Sequence, residues 1–90
     1  MDILFTDSAR EDLRSIKKYI CEDNFEAAQK VVKHIFDSIE YLRTNPSLGR
    51  AGRVLRTREL VISKYPYIVP YQVRENTIYI LRVFHTSQKW

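Results

Sequence analysis

The residues best able to do chemistry in this chain fall into two groups. The first closes it: His85-Thr86-Ser87-Gln88-Lys89-Trp90 sets a titratable ring, a hydroxyl pair and an indole at the end of an apolar stretch. A histidine there can move a proton near neutral pH, and an indole can stack on a base or pack on a sheet edge. The second group lies upstream, in residues 46–57, PSLGRAGRVLRT, which hold both glycines of the protein together with Arg50, Arg53 and Arg56. Arg58 and Glu59 follow directly. Glycine beside arginine lets a backbone come close to a ligand while cations project next to it, and phosphate or carboxylate suits such a loop. The plain alternative is a solvated surface connection.

Charge sharpens that division. Residues 1–49 carry seven Lys/Arg against nine Asp/Glu, residues 50–64 five against one, and residues 65–90 three against one. The basicity is therefore local, and a local positive field favours an anionic partner, whether nucleic acid or an acidic protein surface. Ninety residues suffice for one domain with a modest core, which predicts a single domain over 1–90. The lone Cys21 has no partner for an internal disulfide and no companions for a structural zinc. No metal or cofactor is expected, and a reducing cytoplasmic setting is. The opening residues do not show a charged stretch followed by an apolar one, and no apolar run is long enough to span a membrane.

The elements that must position these residues follow from periodicity. Residues 65–90 read as a hairpin of two strands, 67–73 and 77–84, joined by Arg74-Glu75-Asn76, because β-branched and aromatic residues dominate both flanks. Strands this apolar predict a cover on each face. Met1 to Phe5 alternates as a short strand suited to lie beside the hairpin. Ser8 and Glu11 have capping-box spacing, and Ala9, Leu13, Ile16 and Ile20 mark a helix to about Glu22 or Asp23. Asn24 suits an N-cap, and Ala28, Val31, Val32, Ile35, Ile39 and Leu42 continue as a second helix to about Arg43. So short a connection requires an antiparallel helical hairpin. Residues 58–63 read as a strand, while Pro70 inside an apolar run predicts an edge or a bulge. The fold class expected is α+β, in the order β-α-α-β-β-β, with the helical hairpin on a mainly antiparallel sheet.

With these residues in view, the chain resembles the RelE/ParE superfamily of toxins from bacterial type II toxin–antitoxin, or plasmid stabilisation, modules. The resemblance spans essentially the whole sequence. It rests on RELVI-x4-YIVPYQV-x4-IYILRVFH, on the terminal H-x4-W, and most specifically on Tyr67 to Val73 and Leu81 to His85. It implies a small cytoplasmic toxin gripped by a cognate antitoxin, with operator DNA reached only through that antitoxin. It also implies one of two targets: RelE-like members cleave messenger RNA on the ribosome, and ParE-like members inhibit DNA gyrase.

RNA cleavage through a 2′-hydroxyl needs a base, cations for the charge on phosphorus, and an acid for the leaving oxygen. For that reaction the candidates are His85 as acid or base, Arg58 and Arg82 for charge, Glu59, and Tyr67. His85 and Arg82 stand three apart, and on a continuous strand they face opposite sides. RelE-like nucleases place an arginine where this chain has Tyr67, and tyrosine there matches the ParE-like pattern. The ParE-like branch is therefore favoured, acting through a surface made of the arginine segment, the outer faces of the helices and the C-terminus, in which Arg50, Arg53, Arg56, Arg58 and Trp90 are expected to bind the target or the antitoxin. An mRNA interferase and a basic nucleic-acid-binding module remain the alternatives, the last predicting salt-sensitive binding to free RNA or DNA.

Overall fold

The structure is a computed structural model that describes residues 1–88, so Trp90 lies outside the described residues. Strand β1 (Asp2–Phe5) leads into helices α1 (Asp7–Asp23) and α2 (Phe25–Tyr41). Strands β2 (Arg50–Ala51), β3 (Arg58–Ile62), β4 (Tyr67–Arg74), β5 (Thr77–Ile80) and β6 (Phe84–His85) follow. The sheet runs β1-β5-β4-β3-β2, with β6 also paired to β4. Only β1 with β5 is parallel among the described pairs; the others are antiparallel. This is the expected α+β fold, with two short strands added.

Both helices form because their apolar positions recur on one face, and that face meets one face of the sheet. Ala9, Leu13, Val31, Ile35, Ile39 and Leu42 pack against Leu60, Ile62, Tyr67, Val69, Tyr71, Ile78, Ile80 and Val83 in a single cluster. The helices are joined at Asn24, whose side chain accepts from Ala27 N–H (3.0 Å) while its own N–H donates to Ile20 O (2.9 Å). One residue thus ends α1 and caps α2.

Three local expectations are corrected. Thr6, not a Ser8/Glu11 box, caps α1: its hydroxyl oxygen accepts from Ala9 N–H (3.2 Å) and lies 3.0 Å from the carbonyls of Ile80 and Leu81. The cap sits two residues earlier, at a position that also ties the helix to the sheet. Residues 46–57 are not wholly a loop, since Arg50 and Ala51 pair with Glu59 and Arg58. The two sheet faces are also unequal: both helices lie on one, and among the described residues no helix crosses the other, where Val61 is 46% exposed.

The predicted strand 77–84 is broken, and Pro70 explains where. Tyr71 pairs with Ile80, whereas Ile68 pairs with Phe84, so three residues of one strand oppose two of the other. That is a bulge. Leu81 N–H donates to Pro70 O (2.9 Å), so the side of β4 on which proline has no donor is the side that faces the bulge.

The same bond fixes backbone polarity across the sheet. In a strand the N–H and C=O of one residue point to the same neighbour, and successive residues alternate. Pro70 faces β5, so Val69 and Tyr71 face β3, and their partners Leu60 and Arg58 bond inward. Glu59 and Val61 therefore point outward. β2 covers Glu59 but ends there, which leaves the backbone of Val61 at an open edge among the described residues.

Candidate functional site

Beside the bulge, α1 and the sheet enclose a cleft of about 470 Å³ lined by Asp12, Ser15, Tyr19, Tyr67, Val83 and His85, among others. Asp12 organises it. Its carboxylate accepts from Arg82 Nε (2.6 Å) and Nη2 (3.0 Å) and from Val83 N–H (2.9 Å), so one side chain holds the extra residues of the bulge. The hydrogen bond to Asp12 is also the main reason the Arg82 guanidinium titrates above its usual range. Arg82 is therefore committed to an ion pair, with its side chain 39% exposed.

The bulge also overturns the expectation that Arg82 and His85 face opposite sides of the sheet. Alternation holds only along an unbroken strand. Arg82 reaches Asp12 on the helix side, and His85 lines the same cleft as Asp12. The His85 ring meets Tyr67 edge-on, with centroids 5.6 Å apart. Its Nδ1 accepts from Ser87 N–H (3.1 Å) and lies 2.8 Å from Ser87 Oγ, while the backbone N–H of His85 donates to Gln88 Oε1 (2.8 Å). Tyr67 is buried, and that burial is what chiefly raises its phenol above the ordinary tyrosine range.

Glu59 and Arg58 lie elsewhere. Glu59 is buried and accepts from Arg50 Nε (3.1 Å), in a small hollow on the second face with Arg53, Ile68 and Phe84. Arg58 donates through Nη1 to Gly49 O (2.8 Å) and Ser47 O (3.3 Å). The structure thus brings His85, Tyr67 and the Arg82–Asp12 pair to one cleft, and holds Arg58, Glu59 and Arg50 in the arginine segment. Among the described residues no group of three or more His, Cys, Asp or Glu could hold a metal ion.

The arginine segment is anchored by a residue that sequence reasoning did not single out. Tyr71 is fully buried; its hydroxyl donates to Pro46 O (2.8 Å) and accepts from Gly49 N–H (2.8 Å). A side chain at Gly49 would stand 2.6 Å from the Tyr71 ring, so glycine is required there for close approach. Beyond it the chain doubles back: Gly52 N–H donates to Thr57 O (2.9 Å), and Thr57 N–H donates to Val54 O (3.1 Å). Arg56 is in the left-handed region at φ 66°, and Leu55 at the tip is 83% exposed.

Asp12 was missed as well, although its spacing carried a signal. It lies three residues after Ala9 and four before Ile16, a carboxylate at the margin of the buried stripe. Nothing in the sequence tied Tyr71 to Gly49, which are 22 residues apart.

A third surface borders the open edge of β3. Tyr41, Leu48, Leu60, Val61 and Ile62 line a groove there, and Lys30, Lys33 and Lys64 cluster beside His34 at its neighbour. No helix among the described residues is long and apolar enough to cross a membrane.

Comparison with known proteins covers almost the whole chain. Residues 3–90 match the sequence model of the ParE toxin of the type II toxin–antitoxin system parDE. A Sinorhizobium fredii protein named as a candidate toxin, Y4kP, is 40% identical over 88 residues, covering 98% of this chain and 91% of that protein. Toxin RelE2 of Caulobacter vibrioides is 29% identical over 86 residues, covering 96% of each. Among solved structures, a chain of the chromosomal ParDE toxin–antitoxin system from P. aeruginosa superposes with a TM-score of 0.85 at 30% identity. The match covers 94% of this chain and 95% of that one.

Proposed function

Because this chain belongs to the ParE toxin family of type II toxin–antitoxin systems, we propose that it arrests growth by binding DNA gyrase and that a cognate antitoxin neutralises it. In this reading residues 1–90 form one toxin domain that works in the cytoplasm without a cofactor. It reaches operator DNA only through the antitoxin.

The observation that carries the reading is the state of the groups a nuclease would use. Arg82 is tied to Asp12, Arg58 to backbone carbonyls, Glu59 to Arg50, and the His85 ring, through Nδ1, to Ser87. Catalysis of phosphoryl chemistry depends on cations and acid–base groups converging on one reacting centre. Here the cations sit in two separate places, each with a structural partner. A surface role makes better use of them. The gyrase-facing surface is proposed to be the segment with Arg50, Arg53, Arg56 and Arg58, extended by Trp90.

For the antitoxin, the open β3 edge is proposed as the seat. An extended segment can add a strand where Val61 faces outward, place apolar side chains on Tyr41 and Leu48, and bring carboxylates to Lys30 and Lys64. That leaves the arginine segment for the target.

The test adds purified protein in parallel to a gyrase supercoiling assay and to a translating system with mapped mRNA ends. Lost supercoiling with intact mRNA is expected; codon-phased cuts with normal supercoiling would sink the gyrase reading. His85→Ala supplies a second check. A gyrase inhibitor keeps its potency, whereas a nuclease loses a factor on the order of 10² to 10⁴ in rate.

A further inference from the structure

We propose that the tip at Val54-Leu55, flanked by Arg53 and Arg56, is the anchor that seats this chain in an apolar, carboxylate-rimmed pocket on the protein it acts upon. The inference rests on the reading above only in taking the chain to be a toxin with a protein target.

The tip is built to be stiff. Gly52 and Thr57 close its base, and the Val54 carbonyl accepts from both the amide and the hydroxyl of Thr57. Thr57 is itself buried, and a side chain at Gly52 would collide with its hydroxyl. Nothing in this arrangement covers the apolar side chains. Val54 is 49% exposed and Leu55 83%, so the fold gains little from either. The backbone is also held in a costly conformation, because Arg56 has a left-handed φ of 66° that glycine would adopt without strain. A rigid loop that spends strain to present two adjacent apolar side chains has the form of an interface anchor, since a preorganised loop loses little entropy on docking.

Charge identifies the pocket's rim. Arg50 is paired with Glu59 and Arg58 with the Gly49 and Ser47 carbonyls, so neither is free to leave. Arg53 and Arg56 make no ion pair among the described residues, and they stand directly on either side of Val54-Leu55. Two free cations around an apolar centre match a pocket with carboxylates at its margin. They do not match a nucleic-acid track. Two phosphate contacts give a log–log salt slope of about −1.8, far short of the roughly six to ten contacts of a strong DNA binder.

The experiment compares wild type with Val54→Ser/Leu55→Ser and with Arg53→Gln/Arg56→Gln. For each, four quantities are measured: thermal midpoint, affinity for the cognate antitoxin, growth arrest on induction, and the dose that halves gyrase supercoiling. The substituted side chains are exposed, so midpoint and antitoxin affinity should hold. The serine variant should lose growth arrest and need at least about tenfold more protein against gyrase, as the loss of a buried anchor implies. The glutamine variant should inhibit with a flatter salt dependence. A serine variant that arrests growth like wild type overturns the inference, as does one whose antitoxin affinity collapses instead. Growth arrest by wild type with supercoiling untouched removes the gyrase reading alone, and the serine variant's effect on growth then still decides the anchor. A wild-type chain that neither arrests growth nor inhibits gyrase overturns both.

Discussion

Removing one oxygen from the core should loosen the whole arginine segment. In Tyr71→Phe the ring stays in place, but the Gly49 amide loses its acceptor and the Pro46 carbonyl loses its donor, each now at 2.8 Å. The Gly49 bond is buried, so its stranded N–H costs about 1–3 kcal/mol; the Pro46 carbonyl is only part-buried and loses about 1 kcal/mol. The sum is about 2–4 kcal/mol, which for a domain of this size lowers the thermal midpoint by roughly 10–25 °C. Urea titration should show the same loss in midpoint with an unchanged slope, since the unfolded chain exposes nothing new. Hydrogen exchange should quicken at residues 47–52 before it does at Ile78 or Ile80. Gly49→Ala supplies the cross-check: its added carbon would stand 2.6–2.7 Å from the Tyr71 ring and hydroxyl and 3.0 Å from Glu59 O. The two substitutions damage one contact, so the double variant should be more stable than the summed losses imply, by about 1 kcal/mol. A midpoint shift under about 4 °C for Tyr71→Phe, or strict additivity with Gly49→Ala, would refute the role given to this hydroxyl.

Asp12→Ala should cost about 1–2 kcal/mol, mostly from stranding the Val83 amide, because the half-exposed Arg82 can turn to water. Its signature is faster exchange at Phe84 and His85, with Ile78 unaffected. At high pH the fold should weaken: burial raises the phenols of Tyr67 and Tyr71 above their unfolded value of about 10, so the native state holds those protons more tightly. Stability is then fully present below about pH 10 and falls as pH rises beyond it, and Tyr71→Phe should make that fall shallower in denaturation midpoints taken from about pH 8 to pH 11. Proline scanning of β3 tests the backbone polarity: Leu60→Pro, which breaks an inward bond to Val69, should cost about 3 kcal/mol or more, while Val61→Pro should cost well under 1. Equal losses would refute the outward orientation of Val61, and antitoxin affinity that survives Val61→Pro would refute the strand-addition seat.

How far the sequence led depended on the range of each interaction. The helices, their shared joint at Asn24 and the apolar sets facing the sheet were legible, because helical periodicity and capping are written within a few residues of one another. That Pro70 marks an edge or a bulge was legible for the same reason. Its consequence was not. Which residue is extra depends on pairing to a strand beyond the turn, so 77–84 read as one strand and Arg82 and His85 read as opposed. The candidate site fared likewise: the arginines and His85 could be chosen by type, but their commitments to Asp12, Glu59 and the Gly49 carbonyl could not. Those partners come from α1, β3 and the loop before β2, at separations of 70, 9 and 9 residues, where no local pattern marks a pair.

A single proline links the features that matter for function. Because Pro70 has no donor to give β5, the neighbouring strand can take up an extra residue, and Asp12 holds the bulge through the Arg82 guanidinium and the Val83 amide. The bulge turns His85 to the helix side, into the cleft against Tyr67. On the other side of β4, the same orientation of Pro70 makes Val69 and Tyr71 serve β3, which turns Val61 outward at the edge β2 does not reach. Tyr71, one residue further on, sends its side chain to hold the base of the arginine segment. The cleft, the open edge and the arginine loop are thus set by three consecutive residues, 69–71, in the strand at the middle of the sheet. A toxin needs a surface that its antitoxin can cover and one that its target can meet, and if the open edge and the arginine segment serve as proposed, this one strand sets the distance between them.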